Sequence, residues 1–270
     1  MSCVQLGVRG YALSKLSLPV RLALLVAGTT LPLILFAGAI IYRNYDQDRQ
    51  DAAARVLETA RNIRIVLDAE VQRMTGSLQV LTLASTLQRG DFDGFRRIAR
   101  GFLEQYPGGV LLVADRAGHQ LFSSVRSDAS QLPLRNNLDM VEKVFATGKP
   151  VYSDLFVGAV RKTPIVTVEV PCIVNGEVVY DLSFSPPISI FQHMIELQRP
   201  DPNWTISIFD GKGVNFARVP NPEETIGKRA SPTLYAQMFK AQEAGFETVS
   251  LEQVPLLTAV SRSIASNWIA

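Results

Sequence analysis

A set of polar residues in the middle of the chain could hold a small polar ligand. They lie in or beside β-rich runs. A ligand pocket needs a few well-placed charges or hydroxyls in a mostly apolar wall, and the arginine fork matches a carboxylate. The predicted ligand-binding residues are Arg126, Arg135, Tyr152, Asp154, Arg161, Thr163 and Asp181. Taken singly, each of them could instead be a solvated surface residue.

The sequence lacks the patterns that mark an enzyme or a metal site. It has no G-x-S-x-G motif, and its two histidines, His119 and His193, have no histidine or cysteine at metal-ligand spacing. Glu223 and Glu224 are adjacent in a polar stretch, which does not suit a general acid and base. We therefore expect no catalytic residue, no metal and no cofactor. An anchored hydrolase is the minor alternative.

Two short stretches share one layout, in which a β-like run ends at an aspartate and a glycine follows three residues later. They are "VADRAGHQL" around Asp115 and "IFDGKGVNF" around Asp210. The second stretch lacks the G-x-x-x-x-G-K-[ST] of a phosphate loop and the alternating oxygen ligands of a calcium loop. Both stretches therefore predict hairpin turns, in which the aspartate accepts hydrogen bonds from backbone amides. Their recurrence predicts a duplicated unit.

The composition is that of a globular chain with an added membrane segment. Of 270 residues, 47% are hydrophobic and 19% are charged, and the net charge is +2. This balance gives no reason to expect a nucleic-acid partner. Cys3 and Cys172 flank the membrane segment, so we expect no intramolecular disulfide, and Cys172 is expected to be a buried thiol.

One uncharged stretch, "LALLVAGTTLPLILFAGAIIY" at residues 22–42, is long enough to cross a bilayer as a helix. Pro32 would break a helix in water, but helices in lipid tolerate it. The alternative is a cleaved signal peptide, since the small residues at 37–39 could form a cleavage site. The apolar stretch is long for such a peptide, which favours an uncleaved anchor.

Basic residues predict the direction of this anchor. Arg9, Lys15 and Arg21 precede it, and Arg43 and Arg49 follow it. The positive-inside rule counts only basic residues and so favours a cytoplasmic N-terminus. The rest of the chain would then lie on the periplasmic side of the inner membrane, attached by a single pass.

A long amphipathic helix is predicted after the anchor, from Asp46 to about Gln88. Acidic residues near its start favour the helix dipole, and apolar residues recur at steps of three and four, the spacing of one helix face. That face comprises Val56, Ala60, Ile63, Leu67, Val71, Met74, Leu78 and Leu81. It would pack on the domain that follows, and it could also pair with a second copy of the chain in a homodimer.

The remaining sequence reads as hairpins and short helices in an order that occurs twice. A helix capped by Asp91 or Asp93 comes first. Then come the hairpin at Asp115, a helix ended by Gly148, strands joined by a tight turn at residues 175–176, and a helix after Pro187. After residue 200 the sequence predicts strand, turn, strand, a helix at residues 233–244, two strands, and the opening of a last strand in "SNWIA".

This order predicts an α+β fold with two PAS-like antiparallel-sheet units in tandem. The second unit reads as incomplete, and we interpret the chain as a fragment. The predicted segments are a cytoplasmic N-terminus (1–21), a transmembrane helix (22–42), a long external helix (43–88), a membrane-distal unit (89–199) and a membrane-proximal unit (200–270).

These residues resemble those of a known family. "GKPVYSDLFVG" and "VTVEVPCIVNGEVVYDLSFS" are similar to the distal unit, and "SIFDGKGVNFARVPNPEETIGKRA" and "GFETVSLEQVPLLTAVSRSIASNW" to the proximal unit, of the double Cache sensor domain of bacterial sensor histidine kinases. The resemblance implies that a small molecule binds the distal unit of a dimer and that a cytoplasmic kinase or cyclase responds. This sequence departs from the family in two respects. It contains no second membrane helix or kinase core, and it lacks the aromatic-rich motif used for amino acids, its only tryptophans being Trp204 and Trp268.

The sequence thus predicts a membrane-anchored extracytoplasmic sensor module that binds a small polar metabolite, with a carboxylate as one candidate. Its predicted partners are that ligand, the lipid bilayer and a second copy of the chain. The alternatives are a ligand-free periplasmic interaction module, or the sensory part of a chemoreceptor or diguanylate cyclase.

Overall fold

The structure is a computed structural model that describes residues 17–126, 132–198, 201–251 and 253–270. The residues Cys3, Arg9 and Lys15 lie outside the described part. Residue contacts divide the chain into two compact units, Met1–Ala52 and Ala53–Ala270.

The first helix, α1, runs from Leu18 to Thr82 and contains Pro32 without interruption. Near its start it has an 18-residue stretch of mean hydropathy 2.3, none of which is buried. Among the described residues, one helix, α1, is long enough and apolar enough to cross a membrane, judged by length and composition.

The second half of α1 has the predicted apolar face. Ile63, Leu67, Val71, Met74 and Leu78 are all buried. Val56 and Ala60, at the start of the predicted face, are half-buried. The helix ends at Thr82 rather than near Gln88, because Ala84 adopts an extended conformation, and a separate short helix, α2 (Ser85–Gln88), follows.

Most of the later helices follow their predicted signals. Helix α3 (Phe92–Glu104) begins at Asp91, whose side chain accepts a hydrogen bond from the Gly94 amide. Helix α4 (Leu138–Thr147) ends at Gly148, which has a left-handed conformation. Helix α5 (Ser189–Leu197) follows the two prolines.

The helix predicted at residues 233–244 is wrong in its length. Helix α6 spans Pro232–Met238, after a short 3-10 turn at Pro222–Glu224. Residues 243 and 244 instead begin a strand, since they pair with Ser261 and Val260. Pairing between distant strands has overridden the helical pattern there.

The first sheet has five antiparallel strands in the order β2-β1-β7-β6-β3. Its strands are β1 (Val110–Ala114), β2 (Gln120–Ser123), β3 (Val151–Tyr152), β6 (Val168–Val174) and β7 (Glu177–Ser185). The strands β4 (Phe156–Val157) and β5 (Pro164–Ile165) form a separate small pair. The turn between β6 and β7 has positive φ at both Asn175 and Gly176, as predicted.

One face of the first sheet forms the main apolar core. Val113, Val170 and Leu182 point to this side, and they pack with Met74 of α1 and Phe95 of α3. Cys172 belongs to the same core as a buried free thiol, and burial raises its pKa to about 11. Because successive strand residues alternate between faces, the neighbours of these apolar residues point to the opposite side of the sheet.

The second sheet repeats the strand order of the first. Strands β8 (Ile206–Phe209) and β9 (Asn215–Val219) form one hairpin, and β10 (Glu243–Val249) and β11 (Pro255–Ser261) form another. Residues 268–270 lie between them, because Ile269 bridges Phe209 of β8 and Arg262 just after β11. The resulting order, β9-β8-(268–270)-β11-β10, matches β2-β1-β7-β6-β3 strand for strand.

The two aspartate loops are hairpin turns of the same design. Asp115 Oδ1 accepts the amides of Ala117 and His119 at 2.9 and 2.8 Å. Asp210 Oδ1 accepts the amides of Lys212 and Val214 at 2.9 and 2.8 Å. In each loop the glycine three residues after the aspartate has positive φ.

Candidate ligand-binding site

The second face of the first sheet is polar and buried. Glu169, Asp181 and Ser183 on β6 and β7 and Ser123 on β2 are fully buried, and Gln120 on β2 is nearly so. The register places them together, since Glu169 is opposite Ser183, while Ala114 is opposite both Asp181 and Gln120. Buried polar side chains on a shared face require partners, because burial without a hydrogen bond is costly.

Arg135 supplies the central partner. It precedes α4 and is only 4% exposed. Its Nε donates to Asn137 Oδ1 at 3.0 Å, its Nη1 donates to Asp181 Oδ2 at 3.3 Å, and its Nη2 donates to Glu169 Oε1. Asn137 and Thr167 also donate to Glu169 Oε1, at 2.9 and 2.8 Å. We call these five residues the Arg135 cluster.

The cluster combines one guanidinium with two carboxyl groups. Burial alone would lower the pKa of Arg135, but the charges of Glu169 and Asp181 outweigh it and raise that pKa. Burial raises the pKa of Asp181 well above its usual value, and the neighbouring Glu169 adds to the effect while Arg135 opposes it. A single guanidinium thus does not compensate both carboxyl groups, and the site favours an added positive charge or a retained proton.

Several polar atoms at this face have no hydrogen-bond partner among the described residues. They are Glu169 Oε2, Asp181 Oδ1 and both amide atoms of Gln120. Arg135 also has unused capacity, because each terminal nitrogen carries a second hydrogen beyond the three bonds described. The cluster therefore offers acceptors for a cationic group and donors for an anionic one.

Of the predicted ligand-binding residues, only Arg135 and Asp181 contact each other. Arg126 is exposed after β2, where it lines a cleft of about 340 Å³ with Asp93, Arg96 and Phe122. Arg161 is exposed and donates to the Gly108 carbonyl at 2.7 Å.

The other three predicted residues lie in strand β3 or in the segment that follows it. Thr163 is exposed, in the turn between β4 and β5. Tyr152 is half-buried, with its hydroxyl 3.2 Å from Thr75 Oγ1. Asp154 forms an ion pair with Lys212 at 3.1 Å. None of these contacts involves the Arg135 cluster directly.

The sequence prediction missed Glu169, Asn137 and Thr167. A signal for Glu169 was present, because "IVTVEVPCIV" contains a carboxylate within an otherwise apolar strand. Strand alternation places Thr167 and Glu169 on one face, opposite Val168 and Val170. Asn137 has no comparable signal, since its role depends on where the segment before α4 lies.

No protein-family model matches the chain, and no curated protein matches it. Solved structures do match. The ligand-binding domain of the Campylobacter jejuni chemoreceptor Tlp3, in complex with L-valine, has 14% identity and a TM-score of 0.57, over 82% of this chain and 91% of that one. The extracellular domain of the putative histidine kinase soHK1S-Z6 has 12% identity and a TM-score of 0.64, over 84% and 94%. The ligand-binding domain of Mlp24 with asparagine has 13% identity and a TM-score of 0.56, over 82% and 89%.

These matches decide the fold. The chain has the double Cache fold of bacterial sensory domains. The α+β class is thereby confirmed, and the resemblance to double Cache domains is confirmed at the level of the fold. In this fold, the Arg135 cluster lies on the polar face of the first of the two sheets.

Proposed function

We propose that the chain is a membrane-anchored extracytoplasmic sensor module that binds a small polar metabolite at the Arg135 cluster. The observation that carries the proposal is a fully buried pair of carboxyl groups, Glu169 and Asp181, that share one guanidinium. A purely structural ion pair would be expected to balance its charges and satisfy its oxygens. Within the described part of the chain, this cluster leaves an acceptor on each carboxyl group unused.

The unused groups indicate the class of the ligand. An ammonium group would satisfy the free oxygens of Glu169 and Asp181, and a carboxylate could accept from the remaining guanidinium hydrogens of Arg135. A small molecule with both groups, such as an amino acid, fits this arrangement better than a carboxylate alone. The solved structures of the Tlp3 domain with L-valine and the Mlp24 domain with asparagine are consistent with this choice.

The remaining parts of the function follow from the sequence. The apolar part of α1 would anchor the chain in the inner membrane by a single pass, with the sheets in the periplasm. A homodimer through the long helix and a role as the sensory front of a histidine kinase belong to the same proposal. The module itself would bind and not catalyse.

A matched set of probes tests the ligand class. The full chain in lipid nanodiscs would be titrated with L-valine, isobutylamine and 3-methylbutanoate, which present the amine and the carboxylate together or singly, and with L-asparagine. Binding would be measured by calorimetry and by the shift in melting temperature. We expect at least one amino acid to bind more tightly than either single-group analogue.

Variants assign the binding to the cluster. Asp181→Asn keeps the shape of the side chain and removes its charge, and should weaken amino-acid binding about tenfold or more, since a charged hydrogen bond contributes about 1.5–3 kcal/mol. Arg161→Ala, which changes an exposed arginine, should bind as the parent does. Equal affinity of the parent and Asp181→Asn would contradict the assigned site. Binding of none of the four probes would contradict the proposed ligand class.

A further inference from the structure

Residues 153–155, between β3 and β4, are joined to the Arg135 cluster through Thr167. The Ser153 amide donates to the Thr167 carbonyl at 3.0 Å, and the Thr167 amide donates to Ser153 Oγ at 2.8 Å. The Thr167 hydroxyl in turn donates to Glu169 Oε1 at 2.8 Å. Three hydrogen bonds thus connect Glu169, through Thr167, to the backbone amide and the hydroxyl of Ser153.

The same three residues are joined to the second sheet. Trp268 Nε1 donates to the Ser153 carbonyl at 3.0 Å. The Leu155 amide donates to Asp210 Oδ2 at 2.8 Å. Asp154 pairs with Lys212, whose side chain is 70% exposed, so this ion pair contributes little. The connection therefore depends mainly on Trp268 and Asp210.

The route from Thr167 through Ser153 to Trp268 is buried, and so is Asp210. Ser153 and Thr167 are 2% and 1% exposed, and Trp268 and Asp210 are 0% and 1% exposed. The Trp268 ring is held edge-on against Phe216 and Phe191, with centroids 5.0 and 5.6 Å apart. A buried donor that loses its acceptor costs folding free energy. If Ser153 is displaced, Trp268 must therefore move with it, or the indole N–H of Trp268 loses its acceptor.

Trp268 belongs to the segment that bonds both hairpins of the second sheet, so a displacement of Trp268 would be passed to both hairpins. Residues 268–270 lie between β8 and β11, with Ile269 exchanging hydrogen bonds with Phe209 and Ala270 with Ser261. The Ser263 amide also donates to the Trp268 carbonyl at 2.8 Å. The two hairpins of the second sheet thus meet at the segment that holds this tryptophan.

We propose that residues 153–155 couple the charge state of the Arg135 cluster to the position of Trp268 in the second sheet. A change in the hydrogen bonds of Glu169 displaces Thr167, which is bonded to it. Thr167 in turn displaces Ser153, and Ser153 displaces the Trp268 side chain that donates to its carbonyl. As the route for a ligand signal this rests on the proposed function. As a coupling between two sheets it stands on the hydrogen bonds alone. Spatial contact does not establish coupling, so the test measures an interaction between variants.

Trp268 provides its own probe. Trp204 is the only other tryptophan in the chain, so Trp204→Phe leaves Trp268 as the single emitter. In that background, the full chain in nanodiscs would be compared with and without Asp181→Asn, by emission spectrum and acrylamide quenching. We expect Asp181→Asn to shift the Trp268 spectrum, because Arg135 is then left with Glu169 as its only carboxylate partner. Glu169→Gln perturbs the same point directly and is the second variant.

Variants of Thr167 test whether the effect passes through its hydroxyl. Thr167→Val removes the hydroxyl that bonds Glu169 and should abolish the spectral effect of Asp181→Asn, whereas Thr167→Ser keeps the hydroxyl and should preserve it. Thr163→Val, at an exposed site, is the matched control and should leave the effect intact. The proposal is overturned if the effect survives Thr167→Val, or if neither Asp181→Asn nor Glu169→Gln changes the spectrum.

The amino-acid probes separate this proposal from the proposed function. Binding of L-valine or L-asparagine without a Trp268 response, or with one that Thr167→Val does not alter, overturns the coupling and leaves the ligand site standing. A response to Asp181→Asn that requires Thr167, in a chain that binds none of the probes, supports the coupling and overturns the ligand class.

Discussion

Asp181 is a buried carboxyl group whose pKa is raised well above its usual value. It is fully buried, its Oδ2 accepts from Arg135, and its Oδ1 has no partner among the described residues. Arg135 is shared with Glu169, so the pair of carboxyl groups is undercompensated. Burial and the nearby Glu169 raise the pKa of Asp181, and the folded chain therefore holds this proton more tightly than the unfolded chain does.

Stability should consequently depend on pH through Asp181. Because folding raises its pKa, protonated Asp181 stabilises the folded chain. This contribution is fully present below the ordinary carboxyl pKa of about 4 and is lost as pH rises through the pKa of the folded state. We expect Asp181→Asn to flatten the decline of melting temperature above about pH 4, measured by thermal unfolding across pH. Asp139→Asn, on a different element, should retain the slope of the parent. An unchanged slope in Asp181→Asn would contradict the raised pKa.

Individual site residues were predictable only in part. Arg135 and Asp181 were identified as polar residues in β-rich surroundings, and their contact depends on the segment before α4 folding back over the sheet. Glu169 could have been found from its alternating position in β6. Arg126 and Arg161 were indistinguishable in the sequence from Arg135, because burial is set by long-range packing that one sequence does not encode locally.

At the scale of elements, the two aspartate loops have the same backbone bonds but different outer contacts. Asp115 Oδ2 lies 3.0 Å from Nδ1 of the exposed His119. Asp210 Oδ2 instead accepts the amide of Leu155, which follows strand β3 of the first sheet. Burial raises the pKa of Asp210 despite its amide bonds, which is consistent with its enclosed position. The same turn thus serves only its own hairpin in one case and joins two sheets in the other.

Removing each aspartate should therefore have unequal effects. Asp210→Ala leaves three amide donors without their acceptor and should destabilise the chain by about 1–3 kcal/mol, whereas Asp115→Ala should cost about 1 kcal/mol or less. Denaturant unfolding of the two variants measures the difference. A loss from Asp115→Ala as large as that from Asp210→Ala would contradict the joining role of Asp210.

Glycine substitutions test the assigned elements. Gly76 lies inside α1 with open space where a Cβ would be, so Gly76→Ala should stabilise the chain by about 0.5–1 kcal/mol. Gly118 has φ of +82° in the first aspartate loop, and Gly118→Ala should destabilise by about 1 kcal/mol or more. Melting temperatures should move in opposite directions. A shift of the same sign in both would contradict the helical position of Gly76 or the turn at Gly118.

Local signals predicted where most elements begin and end. Asp91, Gly148 and the turn at residues 175–176 act as the sequence indicated, because caps and turns depend on neighbouring residues. Residues 243 and 244 were assigned to a helix and form a strand, since their pairing with Val260 and Ser261 was not visible locally. The duplicated order of strands was predicted from the repeated aspartate loop.

At the scale of the whole molecule, the chain combines one helix that is long and apolar enough to cross a membrane with the fold of extracellular ligand-binding domains. The solved structures that match it are sensory domains of chemoreceptors and histidine kinases, but at 12–14% identity they establish the fold alone.

Orientation across the membrane has a direct test. Alkaline phosphatase requires disulfides that form in the periplasm, so a fusion after Ala270 should be active, and a fusion of a cytoplasmic reporter there should be inactive. A matched fusion after Arg21 should give the opposite result. Activity of the cytoplasmic reporter after Ala270 would contradict the predicted orientation.

The paired aspartate turns carry a consequence for how such a protein could have arisen. If one ancestral module was copied, each copy began with the same side chain, in which one oxygen closed the turn and the other was spare. In the first copy the second oxygen lies beside the exposed imidazole of His119. In the second copy it accepts the Leu155 amide of the first unit. The contact between the two units would then have arisen from an oxygen atom that was already present, with no new side chain required.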